Sequence, residues 1–569
     1  MSCRRVDLRV VGMTTSPASR VRLALRLVGI AVILSFLASS AVDAQAAIGL
    51  SSVRAQAFFN EEIDGFPPEP DDYFGWSLAA GDFNGDGAQD LATGIPLDNG
   101  PVGLPLMDAG AVIVRWGVAG KGLSATLPPT VLSLYAAGGT TQAHIFDYFG
   151  HALAAGDFNG DGRDDLAVGI PFFRTDGDDD PDAGAVQIHF GLPTGIELAG
   201  AQLLYSGPEF NTFDPTGYYD HFGHTLAAGD FDGDGFADLA IGAPQPEGCG
   251  GCVRGGAVIV LHGSISGLLP VVGYLIHQDD PLVPDDEEDP DDFGWALAVG
   301  NFNGDLRCLS GICRPIDDLA MSAPGEDGEG AVMVMLGSEF GLIFTNSTYL
   351  GQFDVGGTGG EAGDRFGASL ASGNFDGDCC DDLAIGHPDE DLGASNQFAD
   401  AGEVTVLYGA AGGYFDLPRT DHLVQSTIFG SSAYDQAGDL FGFALAAGDF
   451  DRDGRDDLAI GQPGEDVGGS DRGGATVLMG GVGGLYDRFR FLAAGINGVL
   501  PGPQDGSKMG RSVGVGDLDG DGYSDLAVGI PYRDQGGISR SGAESILYGA
   551  LFADGFVSGN DDFWSLSNP

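Results

Sequence analysis

The side chains best placed to do chemistry in this chain are oxygen donors at a repeated spacing. A nine-residue pattern, D-x-[DN]-x-D-G-x-x-D, occurs in seven copies whose first positions are Asp82, Asp157, Asp230, Asn301, Asn374, Asp449 and Asp517. Donors at positions 1, 3, 5 and 9 can converge on one ion if the backbone turns sharply. Glycine at position 6 permits that turn, and the carbonyl of position 7 can add another oxygen. A set of hard oxygens selects Ca²⁺ over metals that prefer softer ligands, and its loose coordination selects Ca²⁺ over Mg²⁺. An EF-hand carries its bidentate acid at position 12 and is flanked by helices. Here the acid is at position 9 and an apolar strand follows, so that motif is rejected. An Asp-Gly hairpin turn would explain one loop, but it does not need oxygen donors at four positions in every copy.

The copies differ in strength. Copies three (Asp230, Asp232, Asp234, Asp238), six (Asp449, Asp451, Asp453, Asp457) and seven (Asp517, Asp519, Asp521, Asp525) hold four carboxylates each. Copies one (Asp82, Asn84, Asp86, Asp90) and two (Asp157, Asn159, Asp161, Asp165) hold three. Copy five (Asn374, Asp376, Asp378, Asp382) has Cys379 where the others have the turn glycine. In copy four, Asn301, Asn303 and Asp305 are separated from Asp318 by an insertion containing Cys308 and Cys313. The expected cofactor is therefore structural Ca²⁺, up to seven ions, with no catalytic and no other cofactor-binding residues.

Intervals of 75, 73, 71, 73, 75 and 68 residues between copies mark a repeat architecture rather than several unrelated domains. Each copy holds four strand-like pieces. One follows Phe-Gly and runs into the acidic loop, as in Phe149-Gly-His-Ala-Leu-Ala-Ala; the second is Asp-Leu-Ala-x-Gly-x-Pro, as at Asp238 to Pro244. The third is Gly-Ala-Val-like, at Gly110, Gly184, Gly256 and Gly330, and the fourth follows a Gly-rich turn such as Gly263 to Gly267. Short apolar runs between Gly, Pro, Asn and Asp read as strands and turns. Four strands in seven copies predict an all-β, seven-bladed propeller of four-stranded blades, with the acidic loop between first and second strands. A solenoid is the runner-up. Residues 53–59 and 563–566 both fall where the last blade needs its fourth strand, and the pattern does not choose between them.

Composition agrees. Glycine is about 17% of the chain, 97 residues, and hydrophobic residues reach 43%, which excludes simple disorder; the glycines lack the collagen period. Acids outnumber bases 83 to 25 for a net charge of −58, which argues against nucleic-acid binding. Six arginines between Arg4 and Arg26, an apolar run from Leu27 to Leu37 and Ala44-Gln-Ala46 read as a secretory signal over residues 1–46, followed by the propeller over 47–569. An uncleaved anchor is the alternative, but the run is short of the ~20 residues a span needs. Without residues 1–46 there are 81 acids and 19 bases, a net −62; seven calcium ions would bring this to −48. The mature protein is expected outside the cell or at its surface, with the periplasm also consistent, and without a transmembrane segment. Six mature cysteines in close pairs suggest local disulfides, Cys249–Cys252, Cys308–Cys313 and Cys379–Cys380; zinc or redox chemistry at Cys249-Gly-Gly-Cys252 is the competing reading.

The Phe-Gly opening, the acidic loop and the Gly-x-Pro close, read as Gly242-Ala243-Pro244 in copy three, resemble FG-GAP repeats, as in the β-propeller of integrin alpha subunits. Copy seven departs with Met509-Gly510. The resemblance covers roughly residues 50–569 and implies a seven-bladed propeller, calcium loops between the first two strands, and roles in adhesion and extracellular recognition. No further integrin-like domain follows, which does not support a heterodimeric receptor. Asp72, Asp147, Asp220, Asp291, Asp364 and Asp439, two residues before the Phe, read as turn-capping carboxylates. Trp76 with Trp295, and His151 with His224, share one repeat position and read as packing residues. HExxH, GxSxG and P-loop motifs are absent. The expectation is a monomeric binding module for an extracellular or cell-surface protein or polysaccharide; the alternative is a propeller-based hydrolase or polysaccharide lyase. A meander places the second-to-third loops and the inter-blade connections opposite the acidic loops. The acids of 176–182 and 285–292 lie in those segments, which are the expected partner face.

Overall fold

The computed structural model describes residues 51–60, 68–100, 107–134, 146–174, 183–198, 201–205, 221–244, 255–278, 291–309, 312–345, 347–356, 362–393, 397–431, 434–467, 469–485, 488–496 and 499–549. The expected signal segment, Cys249, Cys252, Asp220, residues 563–566 and the acids at 176–182 and 285–289 lie outside them. Among the described residues no helix is long and apolar enough to cross a membrane.

Seven four-stranded antiparallel sheets follow one another along the chain. Blade 1 uses strands 78–81, 90–95, 111–115 and 130–132, and blade 2 uses 153–156, 165–170, 185–189 and 202–205. Blade 3 uses 225–229, 238–243, 257–262 and 269–276, and blade 4 uses 297–300, 318–323, 331–335 and 348–351. Blade 5 uses 369–373, 382–387, 403–409 and 415–423, and blade 6 uses 444–448, 457–462, 474–478 and 489–492. Blade 7 takes 513–516, 525–529 and 543–548, and its fourth strand is residues 51–59. That strand pairs antiparallel with the third, Phe58 opposite Glu544 and Phe59 opposite Ala543. The first strand of every blade contacts the first strands of both neighbours, blade 7 meeting blade 1. The result is a closed seven-bladed propeller with the first strands innermost.

The recurring motifs have mechanical reasons. The Phe of each Phe-Gly is buried, at Phe74, Phe149, Phe222, Phe293, Phe366 and Phe441, and Met509 fills the same place in blade 7. Its backbone bridges the glycine that opens the third strand of the preceding blade, as Phe149 does with Gly110 and Met509 with Gly473. A Cβ on Gly110 would lie 2.2 Å from the Phe149 carbonyl oxygen, and its φ is +84°. Only glycine fits there. Apolar clusters between successive sheets complete the core, for instance Phe83, Val112, Phe149, Leu166 and Ile170 between blades 1 and 2.

Candidate metal centres

Each acidic loop joins the end of an inner strand to the start of the second, and its position 2 points inward. Phe83, Phe158, Phe231, Phe302, Phe375, Phe450 and Leu518 are all buried there. Burying such a side chain contributes roughly 1.5–3 kcal/mol, enough to pin an otherwise acidic loop to the core. The side chain of position 1 then organises the turn. Its Oδ1 accepts the N–H of position 5 in all seven loops, at 3.0 Å in loop 1, 3.1 Å in loop 4 and 3.0 Å in loop 7. Its Oδ2 accepts the glycine N–H of position 6 in loops 1, 2, 3, 6 and 7, at 2.8–2.9 Å. Those glycines, Gly87, Gly162, Gly235, Gly454 and Gly522, have φ between +84° and +98°.

The carboxylates of positions 1, 3 and 5 converge in loops 3, 6 and 7. Oxygens of Asp230, Asp232 and Asp234, of Asp449, Asp451 and Asp453, and of Asp517, Asp519 and Asp521 lie within 4.8 Å of one another. The carboxylate of position 9 sits beneath and is held by backbone. Asp90 accepts from Phe83 N at 3.2 Å and Gly117 N at 2.8 Å, and Asp525 from Leu518 N at 2.9 Å and Gly549 N at 2.7 Å. Burial pushes Asp90, Asp318, Asp457 and Asp525 up to about 8 and Asp165 and Asp382 up to about 7, with neighbouring loop acids adding to the rise. Several carboxylates drawn together and partly desolvated repel one another, and a divalent cation offsets that repulsion. The donors are all hard oxygens, so the residues fit Ca²⁺.

Blade 4 keeps this geometry despite its insertion. Residues 306–309 and 312–315 form a hairpin closed by the Cys308–Cys313 disulfide. Asp318 returns to the common position, accepting from Phe302 N at 2.9 Å and Gly337 N at 2.8 Å. Blade 5 departs most. Cys379 is absent from the residues with positive φ, and Arg419 forms an ion pair with Asp376 while stacking 3.8 Å from the Tyr408 ring. The expected Cys379–Cys380 disulfide is corrected: both are free thiols with sulfurs 3.6 Å apart. Adjacent residues can bridge only by distorting the turn that here places both sulfurs beside Gly304.

Position 8 was missed by the sequence reading. Its backbone N–H donates to the position 1 carbonyl of the preceding blade all round the ring, from Asp164 to Asp82 at 3.1 Å and from Gln89 to Asp517 at 2.9 Å. In four junctions its carboxylate also accepts the position 1 N–H, at Asp164, Asp317, Asp381 and Asp456, 2.8–2.9 Å; Gln89 does the same at 2.8 Å. The doubled Asp-Asp of copies two, four, five and six was the available signal. The seven loops are thus one hydrogen-bonded ring.

At the other end of the inner strands, Trp76, His151, His224 and Trp295 stack in blade order, with centroids 5.9, 4.9 and 4.9 Å apart. Arg511 lies over Trp76 and Phe443 at 4.4 and 4.3 Å, and Arg365 over Trp295 at 4.9 Å. These residues are half-buried and pack on one another around the axis. Burial lowers His151 to about 4. The capping reading holds for Asp72, which accepts from Glu69 N at 2.5 Å and Asn60 Nδ2 at 2.8 Å, and for Asp439, which accepts from Gln436 N at 3.0 Å.

The FG-GAP repeat family matches residues 74–114, 149–189, 222–261, 366–407, 441–478 and 509–544, which are blades 1, 2, 3, 5, 6 and 7. The protein carries an integrin-alpha-like FG-GAP β-propeller. Integrin alpha-PS2 of Drosophila melanogaster is 33% identical over 243 residues, 40% of this chain and 14% of that protein. Integrin alpha-5 of Xenopus laevis is 33% identical over 201 residues, 35% of this chain and 16% of that protein. Phosphatidylinositol-glycan-specific phospholipase D of Rattus norvegicus is 29% identical over 395 residues, 68% of this chain and 43% of that protein. The chain therefore spans less than half the length of each of these relatives.

Proposed function

We infer that this FG-GAP propeller is exported, binds Ca²⁺ in its acidic loops other than loop 5, and serves as a binding or adhesion module for an extracellular protein or polysaccharide. The observation that carries the reading is the closed ring of hard-oxygen loops at one end of a rigid scaffold. Calcium there would tie the blades together, leaving the long connections at the other end to recognise a partner. The integrin alpha relatives support an extracellular setting. The test is capture of extracellular proteins and polysaccharides by the full chain with and without Ca²⁺. Replacing the acids of 176–182 and 285–292 by Asn should weaken capture while leaving calcium-dependent melting intact. Capture lost only on substitutions at the acidic-loop end, in folded protein, would place the partner at the wrong face.

A second reading, a propeller-based hydrolase or lyase, draws on one finding: a relative that matches 68% of this chain is named as a phospholipase D. Hydrolysis of a glycosylphosphatidylinositol substrate by the purified chain would replace the first reading.

A further inference from the structure

Loop 5 has exchanged hard donors for soft ones. Position 1 is Asn374, and Arg419 forms an ion pair with Asp376, so positions 1 and 3 offer no free charge to a cation. Positions 6 and 7 are both thiols, Cys379 and Cys380; the other uninterrupted loops have glycine there, followed by Ala, Arg, Phe, Arg or Tyr. The hard-oxygen chemistry of the repeat is thus weakest in the one loop where two sulfurs appear.

The turn brings these thiols together with a carboxylate. The sulfurs stand 3.6 Å apart, and with an oxygen of Asp378 they all lie within 4.8 Å of one another. Two sulfurs on one tetrahedral zinc, each about 2.3 Å from the metal, are separated by about 3.8 Å. The Asp378 carboxylate is already oriented: its Oδ1 accepts the Cys380 N–H at 2.8 Å and the Cys379 N–H beside it, which leaves Oδ2 for a cation. Cys380 is buried against Gly304 of loop 4, where a Cβ would lie 3.0 Å from its sulfur. Cys379 is exposed. One donor is therefore fixed in the core and the others are reachable from solvent, so an ion can enter without opening the fold.

We propose that Asp378, Cys379 and Cys380 bind one Zn²⁺, with water completing the tetrahedron. Ca²⁺ and Mg²⁺ take oxygen donors and are poorly served by two thiolates. Cu⁺ prefers sulfur and gains little from a carboxylate. Zinc accepts both donor types in one site. Loop 5 then departs from the other loops by changing its metal rather than by losing a function. The inference does not depend on calcium in the other loops.

The experiment titrates Co²⁺, a spectroscopic stand-in for zinc, into the full chain kept in reductant and excess Ca²⁺. Cys249→Ser with Cys252→Ser provides the background, which removes the competing Cys-x-x-Cys. One tetrahedral Co²⁺ per chain with sulfur-to-cobalt charge transfer is expected, displaced by Zn²⁺ and untouched by further Ca²⁺. Cys379→Ser, at an exposed position, should weaken binding at least ~100-fold, the upper figure for losing a group that merely supports a ligand. Asp378→Asn should weaken it about tenfold, and neither change should move the metal-free melting temperature. X-ray absorption of the zinc-loaded background protein, which needs no change at the site, should count two sulfurs and two lighter atoms. Absence of charge transfer while both thiols titrate as free, a Cys379–Cys380 disulfide that persists in reductant, or a signal unchanged by Cys379→Ser overturns the site. Zinc bound by a chain whose melting ignores Ca²⁺ supports this site and strikes only the calcium reading.

Discussion

Loops 7 and 5 start from the same nine-residue pattern and reach different electrostatic states. In blade 7, Asp517, Asp519 and Asp521 converge within 4.8 Å, and Gly522 at φ +84° donates to Asp517 Oδ2 at 2.9 Å. The neighbouring cation, Arg452, donates to the Asp521 backbone carbonyl at 2.9 Å. In blade 5, position 1 is Asn374, Cys379 replaces the glycine without adopting its left-handed backbone, and its N–H turns to Asp378. Arg419, 43 residues downstream of Asp376, neutralises that carboxylate from the fourth strand. Donor spacing alone does not make equal sites. The turn residue and any guanidinium within reach decide how much negative charge remains for a cation.

The strongest way to test the comparison is to empty every loop. A ligand that binds only the native state adds about 2.7 kcal/mol per site at a hundredfold excess over Kd. Five loops with the full turn would together match the ~5–15 kcal/mol that holds a typical domain together. Excess EDTA should therefore lower the melting temperature by about 10–15 °C, read by calorimetry; an unchanged curve would sink the calcium reading.

The pH response should be next in size. Asp90, Asp318, Asp457 and Asp525, raised to about 8 by burial, release their protons at lower pH in the unfolded chain than in the apo fold. Raising the pH from about 4 towards 8 then favours unfolding, so chelated protein should melt several degrees lower near pH 8 than near pH 5. Calcium should reverse the order, because it binds the ionised form. A chelated protein that gains stability across that window contradicts the assignment.

Single substitutions separate the two loops. Asp519→Ala should remove one ion from the calorimetric binding stoichiometry and lower the calcium-bound melting temperature by a few degrees, corresponding to about 2–3 kcal/mol. Asp376→Ala should leave the stoichiometry unchanged. The smallest effect is expected from building loop 5 up: Arg419→Ala with Cys379→Gly should add one bound ion and about 1 °C of melting temperature in Ca²⁺. Equal stoichiometry losses from Asp519→Ala and Asp376→Ala would erase the distinction.

Much of this molecule was legible residue by residue. The interval of the repeat, the four strands per blade, the place of the loops and the return of Asp318 across the insertion all follow from short-range patterns. The position 8 carboxylates were not read, because their partners lie in the preceding blade. Cys379 and Cys380 were misread because adjacency in sequence says nothing of the turn between them.

The sequence by itself determined what each repeat is, since strand alternation, turn glycines and ligand spacing act within a few residues. Tertiary structure decided what the repeats do together. Residues 51–59 complete blade 7 beside 543–548, Arg419 reaches loop 5 and not another, and the turns between third and fourth strands share an end with the acidic loops. The physical reason is that such contacts join segments tens to hundreds of residues apart. Their geometry is set by closing seven blades into one ring, and no local pattern encodes it.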